Sequence, residues 1–170
     1  GTLTDLVGRT YKGGWSFDLS IKPGAPGKVI THYSYSYATQ LVEIDAEGEV
    51  ARVVAAHDAG RIMNPALFRG QIEGSVHMGL GYALSEDLPL KDGRPVSTRL
   101  RDLGLIPLDR MPPVEVIGVE VPDPLGPYGA KGVGEIGLVP TAGAVANALR
   151  AFDGVPRTRL PLFPRKEPAA

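Results

Sequence analysis

The chain has 170 residues, 43% hydrophobic and 22% charged, a composition that fits one ordinary globular domain. Its 18 basic and 19 acidic side chains leave a formal net charge of −1, so nothing in the charge points to nucleic acid or an anionic membrane as a partner. Cysteine is absent, which excludes disulfides and cysteine-bound zinc or iron–sulfur sites on this chain, and no apolar run approaches the length of a membrane span.

The first residue is Gly1 rather than Met, which reads as a fragment or a processed chain. The N-terminus lacks a signal-peptide pattern, and a cytoplasmic location is the expectation. The 22 glycines and 16 prolines predict many turns between short elements. Residues 1–14 read as a linker, closed by Gly13-Gly14. Trp15 to Ile21 alternates well enough for a strand, and Lys22 to Gly27 has the composition of a loop. Val29 to Asp45 is the longest strand-like run, with Tyr33, Tyr35 and Tyr37 on one face and His32, Ser34 and Ser36 on the other. Asp45-Ala46-Glu47-Gly48 predicts a hairpin turn, and Val50 to His57 the returning antiparallel strand.

Asp58 to Pro65 reads as a loop. A helix follows over 69–88, in which Ile72, Val76, Leu80 and Leu84 recur at intervals of four. Gly70, Gly74, Gly79 and Gly81 interrupt it, each costing about 1 kcal/mol against Ala. A helix carrying so many glycines is expected to pack closely against something, and its face around Gly70, Gly74 and Gly81 is the expected association surface. Pro89 to Pro113 reads as loop with a turn at Asp92-Gly93, and Val114 to Val121 as a strand. A second helix is expected over 138–151, with Pro140 tolerated in its first turn and Asp153-Gly154 as its stop. Residues 155–170 carry several prolines and read as an extended surface tail. The whole predicts a single α+β domain over 1–170. Its sheet is mixed and mainly antiparallel, with two principal packed helices.

The chemistry concentrates in Gly129-Ala130-Lys131-Gly132-Val133-Gly134-Glu135-Ile136-Gly137. Two readings fit Glu135: an acidic residue at a helix-entry turn, or a carboxylate on a rigid glycine loop that serves as general base. The glycines do not form a dinucleotide fingerprint, since no G-x-G-x-x-G follows a strand with an acidic residue further on. His32, His57 and His77 have no metal-ligand spacing, and no metal ligand is expected from this chain; structural roles are expected for all three. Gln71, between Gly70 and Glu73-Gly74, offers both donor and acceptor to a heterocyclic ligand, and reads equally as an exposed helical amide.

Taken together, Gly70-Gln71-Ile72-Glu73-Gly74, Gly79-Leu80-Gly81-Tyr82-Ala83-Leu84-Ser85-Glu86 and Gly129 to Glu135 resemble the molybdenum-cofactor subunit of the xanthine oxidase and aldehyde oxidoreductase family. Asp58 to Pro65 resembles the family's loop before this helix, and Ile106-Pro107 to Pro112-Pro113 its later proline-marked loop. The likeness runs over roughly residues 28 to 152 and covers the C-terminal part of such a subunit. It implies Glu135 as the catalytic base beside molybdenum. It implies Gln71 as a pterin contact, with Gly70, Lys131, Gly132, Val133 and Gly134 around the cofactor. The implied cofactor is molybdenum–molybdopterin, completed by the remainder of the subunit. The implied partners are that remainder, iron–sulfur and flavin subunits or domains, and a small-molecule substrate, an aldehyde or an N-heterocycle. The chain alone is expected to be inactive and prone to self-association. A non-catalytic assembly module that kept the fold is the competing expectation.

Overall fold

The computed structural model describes residues 2–14, 21, 23–28 and 34–162. The expected strand at Trp15 to Ile21 lies outside these except for Ile21, as does the start of the run from Val29. The chain divides into two compact units, Gly1–Tyr35 and Ser36–Ala170, where the sequence predicted one domain. The first unit holds a short 3-10 helix, Leu3–Leu6, inside the segment read as a linker. The Asp5 carboxylate accepts from the Thr2 N–H at 2.6 Å and ties down its first turn.

The second unit is a three-stranded sheet with two helices. Strand β1, Ala38–Ile44, pairs antiparallel with β2, Val50–Asp58. The turn between them is the predicted one. The Asp45 carboxylate accepts from the N–H groups of Glu47 and Glu49, and Gly48 takes a φ of 88°. The tyrosine alternation does not extend into the strand, because Tyr35 and Tyr37 precede its first residue. Helix α1, Pro65–Leu84, carries the chain over the sheet to β5, Val114–Val119, which lies parallel to β2. A two-residue antiparallel ladder, β3 Leu90–Lys91 with β4 Arg94–Pro95, closes on the predicted turn at Asp92-Gly93, both at positive φ. Helix α2, Thr141–Asp153, completes the fold. The architecture is α+β, with both mixed and antiparallel pairing.

Both helices sit a few residues from their predicted positions. The first starts earlier, at Pro65, because Asn64 caps it by accepting from the Leu67 N–H at 3.0 Å and Pro65 suits the first helical position. It ends at Leu84, where Ser85 leaves helical geometry and the Gly81 carbonyl accepts from both Ser85 and Glu86. The second starts at Thr141, after a turn over 136–140, and stops at Gly154 in the left-handed conformation. The core comprises Val53 and Ala55 of β2, Ile72, Val76 and Leu80 of α1, and Val145 and Leu149 of α2. Leu162 joins it, its N–H donating to the Ala83 carbonyl, so the described part of the tail returns to the core.

One helical glycine, Gly79, is required by contact rather than by backbone angle. A Cβ on Gly79 would lie 2.5 Å from the Thr141 Cβ, so this glycine lets α1 meet the start of α2. A Cβ on Gly81 would run into the Glu86 carboxylate. Gly70 and Gly74 are exposed and would meet nothing. The tight packing is therefore at Gly79 and Gly81, while the face with Gly70 and Gly74 is open.

Candidate functional site

The glycine loop is anchored at its base by the end of β2. Gly60 and Ala130 form an isolated bridge, with Arg61 N–H donating to the Gly129 carbonyl and Lys131 N–H to the Ala59 carbonyl. Gly60 has a φ of 59°, and a Cβ there would collide with the Gly129 carbonyl, so only glycine allows this crossing. Inside it, the Lys131 ammonium pairs with the Asp58 carboxylate at 2.5 Å, their side chains 7% and 5% exposed. Asp58 also accepts from the N–H groups of Gly60 and Val121. Burial alone pushes the Asp58 carboxyl up. The Lys131 bond and the two N–H groups outweigh it and hold the group below its ordinary value.

Above this base the predicted site residues come together. The Gln71 side chain, projecting from α1, donates through Nε2 to the Gly134 carbonyl at 2.6 Å. Glu135 follows directly and is exposed. It is not a first-turn helix residue, since α2 begins only at Thr141, and dipole stabilisation fades beyond the first turn. Instead its carbonyl accepts from the Leu138 N–H in the intervening turn. Gly70, Gly74, Gly132 and Gly134 all flank the Gln71–Gly134 contact in sequence, lie outside the positive-φ region, and have open space where a Cβ would point. Gln71 and Val133 line a cavity of about 320 Å³ together with Met63, Leu67, Phe68 and Ala130 among others; the four glycines are not part of its lining. Lys131, expected near the cofactor, points its charge to Asp58 and so fixes the loop from beneath.

The histidines divide differently. His32 lies outside the described residues. His77 Nε2 is 2.7 Å from the Ile106 carbonyl, a structural contact. His57 is fully buried, and burial lowers its pKa from the ordinary histidine value. Its partner is Gln40 of β1, not its neighbour Asp58, with the two Nε2 atoms 3.2 Å apart. Gln40 and Asp58 did not stand out in the sequence as site residues, and Lys131 stood out only as a cofactor contact, because their partners are far away along the chain. Among the described residues no group of three or more His, Asp or Glu side chains could hold a metal ion.

An α+β unit that closes a glycine loop over a glutamine-bearing helix belongs to a recognised class. The family described as the molybdopterin cofactor-binding domain matches residues 6–112, and the chain belongs to it, within the xanthine oxidase and aldehyde oxidoreductase family. That match contains Gln71 and α1 and ends before the glycine loop. The chain is 37% identical over 142 residues to the gamma subunit of the 6-hydroxypseudooxynicotine dehydrogenase complex of Paenarthrobacter nicotinovorans, covering 78% of this chain and 18% of that one. It is 35% identical over 144 residues to the aldehyde oxidoreductase of Megalodesulfovibrio gigas, covering 82% and 16%. Among solved structures, quinoline 2-oxidoreductase from Pseudomonas putida superposes with a TM-score of 0.60 at 33% identity, over 67% of this chain and 15% of that one. The chain thus spans less than a fifth of the length of each of these three proteins.

Proposed function

We propose that this chain is the C-terminal cofactor-binding segment of a molybdenum hydroxylase, an oxidoreductase that oxidises an aldehyde or N-heterocycle with oxygen taken from water. The observation that carries this reading is the bare-glycine surface. Gly70, Gly74, Gly132 and Gly134 are not demanded by backbone angle or by any neighbour among the described residues. Glycine inside a helix costs about 0.5–1 kcal/mol against Ala, so a face that keeps two of them is suited to close approach by something else. A pterin cofactor fits such a cradle. Gln71 keeps its Oε1 and a second N–H beside backbone that no side chain covers.

In this reading Gln71 and the backbone of Gly132, Val133 and Gly134 hold the cofactor, and Gly70 keeps the helix surface low beneath it. Lys131 acts through Asp58 by fixing the loop. The bound molybdenum–pterin group supplies the two-electron redox chemistry. Glu135 is the general base: its carboxylate takes up the proton released as the water-derived oxygen enters the product. The remainder of the subunit completes the site and orients substrate. Iron–sulfur and flavin subunits or domains remove the electrons, and the assembly is cytoplasmic. The relative from Paenarthrobacter is named as a subunit of a complex, which supports partners of this kind.

The test is turnover per bound molybdenum in the assembled enzyme. Glu135→Gln keeps the size of the side chain and removes the proton acceptor. It should lower turnover by at least about 10²-fold, the lower range for lost general-base catalysis, at unchanged molybdenum content. Gln71→Ala should instead lower molybdenum content. Normal turnover per molybdenum in Glu135→Gln would leave Glu135 as an ordinary loop carboxylate.

A further inference from the structure

Glu135 sits between two carbonyls that are each held by a glutamine. On one side Gln71 donates to Gly134 at 2.6 Å. On the other, Gln40 of β1 donates through Nε2 to the Gly137 carbonyl at 2.7 Å, reaching across 97 positions of sequence. The buried Thr141 hydroxyl donates to the same oxygen at 3.1 Å. Gly137 is also pressed onto α1, where an added Cβ would lie 2.6 Å from the Ser75 Cβ. The loop is therefore clamped just before and just after the residue read as the base.

The polarity of the second clamp follows from donor chemistry. A carbonyl only accepts, so the amide nitrogen of Gln40 must face Gly137. The same nitrogen faces His57 Nε2 at 3.2 Å, so that ring nitrogen must accept, and the ring proton sits on Nδ1. Gln40 Oε1 and His57 Nδ1 are buried and find no hydrogen-bond partner among the described residues. Such an arrangement costs stability that an apolar pair would not, so packing alone does not account for it.

We propose that Gln40 is a positioning residue for the Glu135 loop, and that His57, by accepting through Nε2, keeps the Gln40 amide turned to donate to Gly137. This rests on the reading of Glu135 as the base. If Nε2 gained a proton, two donors would face each other and the amide would have to turn. Its oxygen would then oppose the Gly137 carbonyl, and the clamp would open. Burial lowers the His57 pKa, in the direction of the neutral ring that its Nε2 contact with Gln40 requires. The charged groups on the surrounding elements are engaged elsewhere. Asp58 pairs with Lys131, Glu73 with Arg69, Arg52 with Glu43 and Glu115, and Asp153 with Arg157. His77 meets the Ile106 carbonyl, Glu120 accepts from the Ile62 N–H, and Arg150 and Glu135 are exposed.

The experiment is hydrogen–deuterium exchange by mass spectrometry on the assembled enzyme, following the peptide over 133–141. Gln40→Met keeps an unbranched side chain and removes the donor. Its loop exchange should rise about tenfold, the size of one lost hydrogen bond, while β5 peptides keep their rates. In the unmodified protein, after correction for intrinsic exchange, the loop should loosen on acidification, at a pH below the ordinary histidine range because burial lowers the His57 pKa; in Gln40→Met it should not respond. Turnover per molybdenum should fall with the loosening at unchanged KM. Unchanged loop exchange in Gln40→Met with β5 protected would overturn the proposal. If that variant does not assemble, a flat pH response of the unmodified loop overturns it equally. Glu135→Gln run in parallel separates the two ideas: persistent turnover removes the base, whereas only loop exchange that fails to move removes the positioning role.

Discussion

Lys131 looks in the sequence like a surface cation offered to an anionic cofactor, yet its ammonium is committed inside the protein to Asp58, with both side chains under 10% exposed. Removing one partner of a buried pair leaves the other charge uncompensated. Lys131→Met should therefore destabilise by about 3–5 kcal/mol in denaturant unfolding. The double variant Asp58→Leu, Lys131→Met should lose less than Lys131→Met alone, because no charge is left stranded. The pair also fixes a sign for pH. The Asp58 carboxyl is lowered in the folded state, so around pH 4 the unfolded chain binds more protons than the folded one. Its stabilisation is present above about pH 3.9, the ordinary aspartate value, and is lost as pH falls through the lower folded value. Acid titration of stability should be shallower over that window in Asp58→Asn; an identical acid limb in both proteins would contradict the assignment.

Helix α1 uses its glycines for two opposite purposes, and this yields a paired prediction. Gly79 has the Thr141 Cβ at 2.5 Å from any added methyl, so Gly79→Ala should cost about 1–3 kcal/mol by overpacking. Gly74 has open space, so Gly74→Ala should stabilise the isolated chain by about 0.5–1 kcal/mol through helix propensity. If the proposed cradle is right, the same change in the assembled enzyme should lower molybdenum content, because it raises the surface assigned there to the cofactor. Thermal unfolding of the chain and metal analysis of the complex check the two halves. The sequence alone predicts that these glycines permit close packing, but it assigns that packing to Gly70, Gly74 and Gly81 together. Only the fold separates the two kinds. The same limit runs through the rest. Local chemistry was legible: the Asp45 to Gly48 hairpin, the Asp92-Gly93 turn and the Gly154 stop. What was not legible depends on partners distant along the chain, such as Asp58 with Lys131 and Gln40 with Gly137, separated by 73 and 97 positions. The helix start was the exception, since Asn64-Pro65 is a local capping pattern that periodicity alone passed over.

Among the described residues of the second unit, a continuous stretch of α1 is exposed. Leu67, Met78 and Tyr82 are 72%, 57% and 53% exposed, and Gly70, Gln71 and Gly74 share that exposed surface. Among the described residues, strands β1 and β5 are the two edges of the sheet, with Leu41 and Ile117 exposed on it. Among the described residues no helix is long and apolar enough to cross a membrane, so these surfaces are not accounted for by a helical span. Exposed apolar area and free strand edges both favour association. The isolated 170-residue chain should self-associate and bind an apolar dye, and a strict monomer by light scattering at high concentration would count against this. Cofactor retention belongs to the same argument. In the proposed reading the chain offers the exposed Gln71 amide and the backbone of the exposed Gly132 and Gly134 with the half-buried Val133 between them, and Gln71 and Val133 line a cavity of about 320 Å³. A site that encloses a ligand of this kind buries most of its surface, and here only one wall is present. Molybdenum and pterin analysis of the purified chain should therefore find far less than one equivalent, rising towards one when the remainder of the subunit is supplied. Stoichiometric metal in the chain alone would mean that this one wall suffices, and the need for the rest of the subunit would fall.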